Sequence, residues 1–133
     1  MINIGDRYEQ TAVVTDANTA AALGSGALRV FGTPYLVSMM ENAALKYMAE
    51  NIPEDKSTVG TIVHVNHNSA TPLGMTVKVT VEVTAISENG KMVDFKMEAS
   101  DDAGPIADGY HQRAIVSTER FVARAEAKAS LHA

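Results

Sequence analysis

Cysteine is absent from this sequence of 133 residues, and its absence removes several chemistries at once. Without a thiol the chain has no disulfide bonds, no thiolate metal ligands and no cysteine nucleophile. Aromatic residues are few, at 5%, and charged residues make up only 20%. Apolar residues still account for 46%, which suffices for the core of one folded domain and excludes general disorder.

Two further absences concern membranes and nucleic acids. No apolar run approaches the roughly 20 residues that a membrane-spanning helix needs, and residues 1–6 lack the basic and apolar regions of a secretory signal. We therefore expect a soluble, cytoplasmic protein. The formal net charge of −5 argues against general nucleic-acid binding, which requires a basic face. An anionic ligand would need a local cluster of cations or backbone donors.

One segment carries the signals of a long helix. Thr33 suits the N-cap, Pro34 suits the first helical position, and nothing breaks the helix until about Glu50. One side of this predicted helix is apolar, comprising Leu36, Val37, Met40, Ala43, Ala44, Tyr47 and Met48. The preceding segment, residues 17–32, is rich in Ala and Gly. It is either a flexible connection containing a short helix or a lid over a pocket.

The remaining sequence alternates as strands do. One strand is predicted before the helix and four after it, at residues 8–14, 59–65, 75–85, 93–99 and 106–118. Asn89-Gly90 predicts a hairpin between the third and fourth strands. One helix covered by one antiparallel sheet is an α+β architecture.

We predict a single domain over residues 1–120, followed by a C-terminal tail, residues 121–133, that is a frayed helix or disordered. A single sheet with one helix leaves strand edges and apolar surface to cover. We therefore expect a homodimer, with a dimer of dimers as the alternative.

Glu41 and His67 stand out from the patterns around them. Glu41 lies at the flank of the apolar side of the helix, where a carboxylate is costly unless it reaches water or a partner. By alternation, His67 follows Val59, Thr61, Val63 and Val65 on the face that should meet the helix. It is either an ordinary strand-end histidine or an imidazole that Glu41 orients as a base, the usual arrangement in hydrolytic sites.

Thr33 completes a candidate site, because a helix N-terminus presents N–H groups that can hold a developing oxyanion. His64 and His67 are three apart and point to opposite faces of a strand, so they form a poor metal pair. His111 and Arg113 share a face of the last strand and are either ordinary surface or contacts to a phosphate-bearing ligand.

Gly60 interrupts a strand, which suggests that another group approaches its backbone closely.

Three spaced motifs resemble those of the fluoroacetyl-CoA thioesterase family. Residues 60–77, GTIVHVNHNSATPLGMTV, are similar to a second-strand region in which a catalytic histidine precedes an Ala-Thr-Pro turn and a Thr/Val-rich strand. Thr33, Glu41 and His67 have the separations found in that family. The segment GYHQRA at residues 109–114 resembles its last-strand pattern Gly-x-His-x-Arg-Ala. The resemblance covers most of residues 33–116.

This resemblance implies a hotdog fold, in which a five-stranded antiparallel sheet wraps one long helix. It implies a side-by-side dimer with acyl-CoA sites near the subunit interface. The implied reaction is hydrolysis of an acyl-CoA thioester to free acid and CoA. Coenzyme A is then part of the substrate, and neither a cofactor nor a metal is implied.

The same resemblance implies roles for individual residues. His67 would be the general base, with Glu41 orienting or balancing it. Thr33 would be the nucleophile or would polarise the carbonyl while a water attacks. Gly60 and Arg113 would contact the substrate or CoA.

The segment before the helix departs from the family, whose fluoroacetate-specific member has phenylalanines gating its pocket. Residues 20–31 here are mostly Ala, Gly and Leu, with Phe31 as the only aromatic residue and a further candidate substrate contact. We therefore expect a different, larger or less selective acyl group.

Two rival functions fit the same fold. A hydratase or dehydratase acting on acyl-CoA would use an acid/base pair without a nucleophile. A non-catalytic acyl-CoA-binding module would keep the fold without the chemistry. A DNA-binding regulator would need a helix-turn-helix segment, for which the chain has no room.

Overall fold

Five strands form one antiparallel sheet in the computed structural model, which describes residues 1–131. In chain order they are β1 (Arg7–Val13), β2 (Lys56–His67), β3 (Thr76–Ile86), β4 (Met92–Asp101) and β5 (Gly104–Ser117). Their spatial order is β1-β3-β4-β5-β2, so β1 and β2 are the edges. Between β1 and β2 lie a 3-10 turn (Asp16–Asn18), a short helix α1 (Ala20–Leu23) and the long helix α2 (Thr33–Ala49). The predicted α+β architecture, one long helix against a five-stranded sheet, is confirmed.

Helix α2 packs its apolar side on one face of the sheet, which we call the inner face. The buried residues of the helix are Leu36, Met39, Met40, Ala43, Ala44, Tyr47 and Met48. They meet the alternating apolar residues of β3 and β4, namely Val77, Val79, Val81, Val83, Val93, Phe95, Met97 and Ala99. Each large side chain buried in this way contributes roughly 1.5–3 kcal/mol. The helix is therefore fixed in position and rotation. The predicted alternation is confirmed in β4 and, in β3, as far as Val83; a register shift between Val83 and Ala85 leaves Ala85 exposed, against the prediction.

Strand β2 does not keep the alternation that its sequence suggests. Its register against β5 shifts between Gly60 and Ile62, which identifies a β-bulge at Thr61. A bulge reverses which residues face the helix, and the Thr61 hydroxyl lies on the outer face, where it donates to the Gln112 side chain. The prediction that Val59 and Thr61 share the inner face with His67 is therefore wrong, whereas Val65 packs on the core as expected.

The prediction that Thr33 caps the long helix is also wrong, by one residue. Gly32 is the N-cap, with extended backbone angles, and Thr33 is the first helical residue. Glycine is required there by space, because a Cβ on Gly32 would lie 2.8 Å from the Leu23 side chain and 3.1 Å from the Ala20 nitrogen. Because Thr33 is the first helical residue and not the N-cap, its hydroxyl is available for another contact.

The C-terminal segment is helical as far as it is described. Helix α3 (Thr118–Leu131) directly follows β5, and its residues are exposed. From the sequence we expected residues 121–133 to be either a frayed helix or disordered. Residues 132 and 133 lie outside the part of the chain that the structure describes. Within residues 1–131, no helix is both long enough and apolar enough to cross a bilayer.

A substitution at Phe95 can test the packing between α2 and the sheet. It is fully buried and packs edge-on against Tyr47 of the helix. We expect Phe95→Ala to lower the free energy of unfolding by about 3–5 kcal/mol, because it removes a large buried ring and leaves a cavity. Urea denaturation measures the change. The control is Lys96→Ala at the next, exposed position, for which we expect about 0.5 kcal/mol or less. Similar losses in both variants would contradict this packing.

Candidate active site

Thr33 and His67 are in direct contact, although 34 residues separate them in sequence. Thr33 opens α2 and His67 closes β2, so the helix start and the strand end meet at one end of the inner face. The Thr33 Oγ1 and the His67 Nδ1 are 2.7 Å apart, a hydrogen-bond distance.

The chain on either side of His67 is held by backbone hydrogen bonds. His67 pairs with Ala107 of β5. Directly after it, the amides of Asn68 and Ser69 both donate to the Ile106 carbonyl, at 2.7 and 3.2 Å. The imidazole therefore projects from a backbone that is fixed to the central part of the sheet.

The second nitrogen of the imidazole is buried without a partner. Among the described residues, His67 Nε2 is the one buried side-chain nitrogen or oxygen that forms no hydrogen bond. Leaving such a group unsatisfied costs about 1–3 kcal/mol. Burial lowers the pKa of His67 below its ordinary value of 6.5, and the nearby Ser69 backbone opposes this shift in part. The imidazole is therefore neutral at pH 7 and able to accept a proton.

A cavity of about 230 Å³ opens beside this pair. Its lining consists of Val30, Phe31, Thr33, His67, Asn68, Ser69 and Ala70. Phe31, the single aromatic residue of the segment before α2, is buried and packs edge-on against Tyr35. Val30 and Phe31, at the end of the segment that could act as a lid, thus form one wall of the cavity beside Thr33 and His67.

The wall is attached to the turn that follows β2. The Phe31 amide donates to the Thr71 carbonyl at 2.9 Å, and Val30 forms a bridge with Pro72. The Thr71 hydroxyl in turn donates to the Asp101 carboxylate at 2.7 Å. This bond is the main reason that the pKa of Asp101 lies below its ordinary value. The Ala-Thr-Pro turn thus holds the cavity wall in place.

Glu41 lies two turns further along α2, at a second group of polar residues. Its side chain is 40% exposed, and its Oε2 is 3.9 Å from the Arg113 Nη1. A Cβ on Gly60 would come within 3.0 Å of the same oxygen and 3.2 Å of the His111 ring. The prediction that another group approaches Gly60 closely is confirmed, and the carboxylate is that group.

Arg113 and His111 form a buried hydrogen-bond network beneath Glu41. Arg113 donates from Nε to the Thr58 hydroxyl at 2.9 Å and from Nη2 to the Thr58 carbonyl at 3.0 Å. Its Nη1 lies 3.1 Å from the His111 Nε2. Because arginine only donates, Nε2 is the acceptor. The His111 proton is therefore on Nδ1, which donates to the Ile62 carbonyl at 2.8 Å.

This network overturns the interpretation of His111 and Arg113 as ordinary strand surface. Both are on the inner face and almost completely buried. Burial, helped by the neighbouring Arg113, lowers the pKa of His111, so the imidazole is neutral. Glu41 opposes the lowering that burial causes in the pKa of Arg113. The guanidinium thus remains a cation that holds Glu41 at the surface of the inner face.

Within one chain the three predicted residues fall into two groups. Thr33 joins His67, whereas Glu41 joins Gly60 and Arg113. Thr33 and Glu41 are eight residues apart on α2, or about 12 Å along its axis. The chain by itself therefore does not bring the carboxylate to the imidazole.

Sequence reasoning missed other residues of these groups. Thr58, which holds Arg113, gives no signal because a threonine in a strand is ordinary. Asn68, Ser69 and Ala70 line the cavity at His67 and are detectable only as a polar turn at the strand end.

Comparison with known proteins gives consistent matches across most of the chain. Residues 14–119 match the family described as "Fluoroacetyl-CoA-specific thioesterase". The fluoroacetyl-CoA thioesterase of Streptantibioticus cattleyicolor is 34% identical over 99 residues, which are 74% of this chain and 70% of that protein.

Two solved structures extend the match to the fold. A single-site variant of the fluoroacetyl-CoA-specific thioesterase, in complex with fluoroacetate and CoA, aligns with a TM-score of 0.84 at 31% identity. The alignment covers 90% of this chain and 99% of that one. A hot-dog-like protein from Thermanaerovibrio acidaminovorans aligns with a TM-score of 0.86 at 27% identity, covering 94% and 91%. The architecture is thus the predicted hotdog fold, and the chain belongs to the fluoroacetyl-CoA-specific thioesterase family.

Proposed function

We propose that this protein is an acyl-CoA thioesterase, in which His67 is the general base and Thr33 and Glu41 complete the site. The observation that carries the proposal is the 2.7 Å contact between the Thr33 hydroxyl and the His67 Nδ1. A neutral imidazole accepting from a hydroxyl beside a small cavity is the arrangement that hydrolytic chemistry needs. Family membership supports the same substrate class.

The thioester carbonyl would lie in the cavity between Thr33 and the Phe31 wall. In one route His67 takes the Thr33 proton, the threonine oxygen attacks the carbonyl, and CoA leaves as a thiol after the imidazolium returns the proton. Water then hydrolyses the acyl ester. In the other route His67 deprotonates a water directly and Thr33 polarises the carbonyl. Both routes need a neutral His67 and benefit from the positive end of α2 near the developing oxyanion.

The separation of Glu41 from His67 points to a site shared by two subunits. The edge strand β2 has 12 residues, and it exposes Ile62 by 45% and Val63 by 39%. Such an edge is well suited to pair with a second copy. If two β2 strands pair antiparallel about an axis through His64, the bulge at Thr61 brings Gly60 opposite His67 of the partner subunit.

Both positions are on the inner face of the sheet. The Glu41 that contacts Gly60 would then approach the unpartnered Nε2 of the partner's His67. A carboxylate there would accept from Nε2–H and leave Nδ1 free to act as the base. The proposed enzyme is accordingly a homodimer with two composite sites.

The acyl group is proposed to be something other than fluoroacetyl, or not to be restricted to it. The wall segment, residues 20–31, contributes only Phe31 as an aromatic side chain. That ring is already packed against Tyr35 and is thus poorly placed to act as a mobile gate.

Thiol release from a panel of acyl-CoAs tests the reaction and its selectivity together. The panel contains acetyl, fluoroacetyl, branched and aromatic acyl groups. We expect turnover that His67→Ala lowers by about 10²-fold or more, because the variant loses the general base. The matched control is His64→Gln, on the opposite and exposed face of the same strand. It should retain activity, and gel filtration checks that this change at the proposed subunit contact leaves the dimer intact.

Three outcomes contradict parts of this proposal. Equal losses in the two histidine variants contradict the role of His67. Absence of thiol release with every acyl-CoA, despite binding, would leave a binding module or a hydratase. A strong preference for fluoroacetyl-CoA over acetyl-CoA refutes the proposed acyl selectivity.

Mixing two inactive variants tests the composite site. A dimer of one Glu41→Gln subunit and one His67→Ala subunit contains one site with both groups intact, provided that each site takes them from different subunits. Equal coexpression gives half heterodimers, so we expect about a quarter of the wild-type activity. If Glu41 served His67 of its own chain, every site would lack one group and activity would stay at the level of the separate variants.

The pH profile of Glu41→Gln tests the contact between the carboxylate and the imidazole. His67 acts as a base only when neutral, so kcat/KM falls as pH drops through its pKa. In the wild-type dimer the carboxylate stabilises the imidazolium and raises that pKa. Without it, burial keeps the pKa below 6.5. We therefore expect the acidic limb of the residual activity to move to lower pH than in wild type; coincident limbs would place Glu41 away from His67.

A further inference from the structure

Four cations lie together where the sheet meets the C-terminal helix. They line one open cavity of about 370 Å³: Lys56, Lys91, Arg120 and Arg124. Among the described residues, no carboxylate contributes to this lining and none of the four cations takes part in an ion pair. Asp55 and Glu119 are their sequence neighbours but do not line the cavity.

This cationic cavity is unexpected in a protein with a net charge of −5. Four cations without counter-ions repel one another, and this repulsion is relieved when an anion binds. The cavity is therefore suited to a ligand with several negative charges.

The part of the cavity formed by α3 has features suited to a nucleotide. Arg120 and Arg124 are four residues apart on the helix and thus share one side of it. Guanidinium groups bind phosphates with two parallel hydrogen bonds. Phe121, 41% exposed, also lines the cavity, and its ring offers a surface on which a base can stack. Phosphate and base recognition are thus available on one surface.

Neighbouring cavities that share lining residues lie between Glu41 and the cationic cavity. The cavity at Glu41 and Arg113 shares Leu45 with a second one. The second cavity has a volume of about 260 Å³ and shares Lys56 with the cationic cavity. Its lining combines the apolar residues Leu45, Ala49, Ile52 and Pro53 with the polar residues Glu54, Lys56, Ser57 and Thr58. From Gly60 beside Glu41 to Lys56, the distance along β2 is about 13 Å.

Coenzyme A has the same sequence of chemical groups. From its sulfur end it consists of a long uncharged pantetheine arm, a pyrophosphate and a 3′-phosphorylated adenosine. A polar site, a partly apolar cavity and a cationic cavity follow each other in the corresponding order.

We propose that the cationic cavity binds the 3′-phospho-ADP end of the CoA substrate, with the pantetheine arm lying along α2 between Leu45 and Lys56. This inference rests on the proposed thioesterase function. It gives α3 a role in substrate binding, and in a composite site it assigns the nucleotide to the subunit that supplies Glu41.

The double variant Arg120→Ala/Arg124→Ala tests this subsite through substrate length. Each exposed ion pair lost corresponds to about 2- to 5-fold in affinity. We therefore expect about a 4- to 20-fold higher KM for acyl-CoA with little change in kcat. The same acyl group on pantetheine alone, which lacks the nucleotide, should show an unchanged KM. Lys56→Ala should show the same pattern at a smaller magnitude.

The control is Arg7→Ala/Lys96→Ala, which removes two exposed cations elsewhere on the sheet. It makes the same change in net charge, so an equal rise in KM would indicate general attraction of an anion and overturn the subsite. Equal weakening of the acyl-CoA and acyl-pantetheine substrates by the α3 variant would also overturn it.

Calorimetric titration with CoA, dephospho-CoA and inorganic phosphate provides a readout that needs no turnover. We expect the order of affinity CoA, dephospho-CoA, phosphate, and a weaker CoA affinity in the α3 double variant. If CoA binds and the variant weakens it but no thioester is cleaved, the subsite holds and the thioesterase proposal fails. If thioesters are cleaved and CoA binding is the same in the variant, the subsite fails and the thioesterase proposal stands.

Discussion

The packing of α2 on the inner face determines where every polar group of the site lies. Because the helix buries seven residues against valines, a phenylalanine and a methionine of the sheet, it cannot rotate or slide without exposing a large apolar area. Its first residue, Thr33, is thereby held at the end of β2. Its Glu41 is held two turns away, over Gly60. The rise of the helix then fixes their separation at about 12 Å, so the apolar packing is what divides the polar residues into two groups.

The two groups differ in how their buried polar atoms are hydrogen-bonded. Beneath Glu41, the guanidinium of Arg113 has Thr58 and His111 as partners, and the His111 Nδ1–H donates a hydrogen bond to the Ile62 carbonyl. That network is satisfied within the chain, and it supports a carboxylate that stays partly exposed. At the other group the hydrogen bonds stop at His67, whose Nε2 has no partner among the described residues. The Glu41 group is thus complete and rigid, whereas the His67 group is ready to accept another molecule.

The sequence predicted the features that follow from regular periodicity. The valines of β3 and the apolar residues of β4 face the core as their alternation required, and Gly60 is approached closely as a glycine within a strand suggested. Irregular features escaped prediction. Gly60 interrupts β2 and was interpreted only as a point of close approach, although a glycine within a strand also marks bulges such as the one at Thr61. Thr33 has the residue type of an N-cap, but the space beside Leu23 requires glycine at that position.

Burial of polar residues was equally hard to foresee. His111 and Arg113 are polar and alternate like surface residues, and they are buried only because α2 covers that end of β5 and Thr58 offers them partners. The spacing of Thr33, Glu41 and His67 resembled that of a family, yet spacing along a chain says nothing about which subunit supplies each group. Which subunit supplies each group depends on the three-dimensional structure, here on the separation of about 12 Å that α2 imposes between Thr33 and Glu41.

The unsatisfied Nε2 of His67 connects the fold to association between subunits. An orphan buried nitrogen costs about 1–3 kcal/mol, and the fixed helix prevents Glu41 of the same chain from removing that cost. The exposed Ile62 and Val63 add an apolar area on the longer edge strand, the same strand that ends in His67. Pairing two such edges covers the apolar area, satisfies the strand backbone and, in the proposed register, supplies the missing carboxylate. One contact between subunits would then relieve three separate costs, so we infer that assembly and completion of the site are a single event.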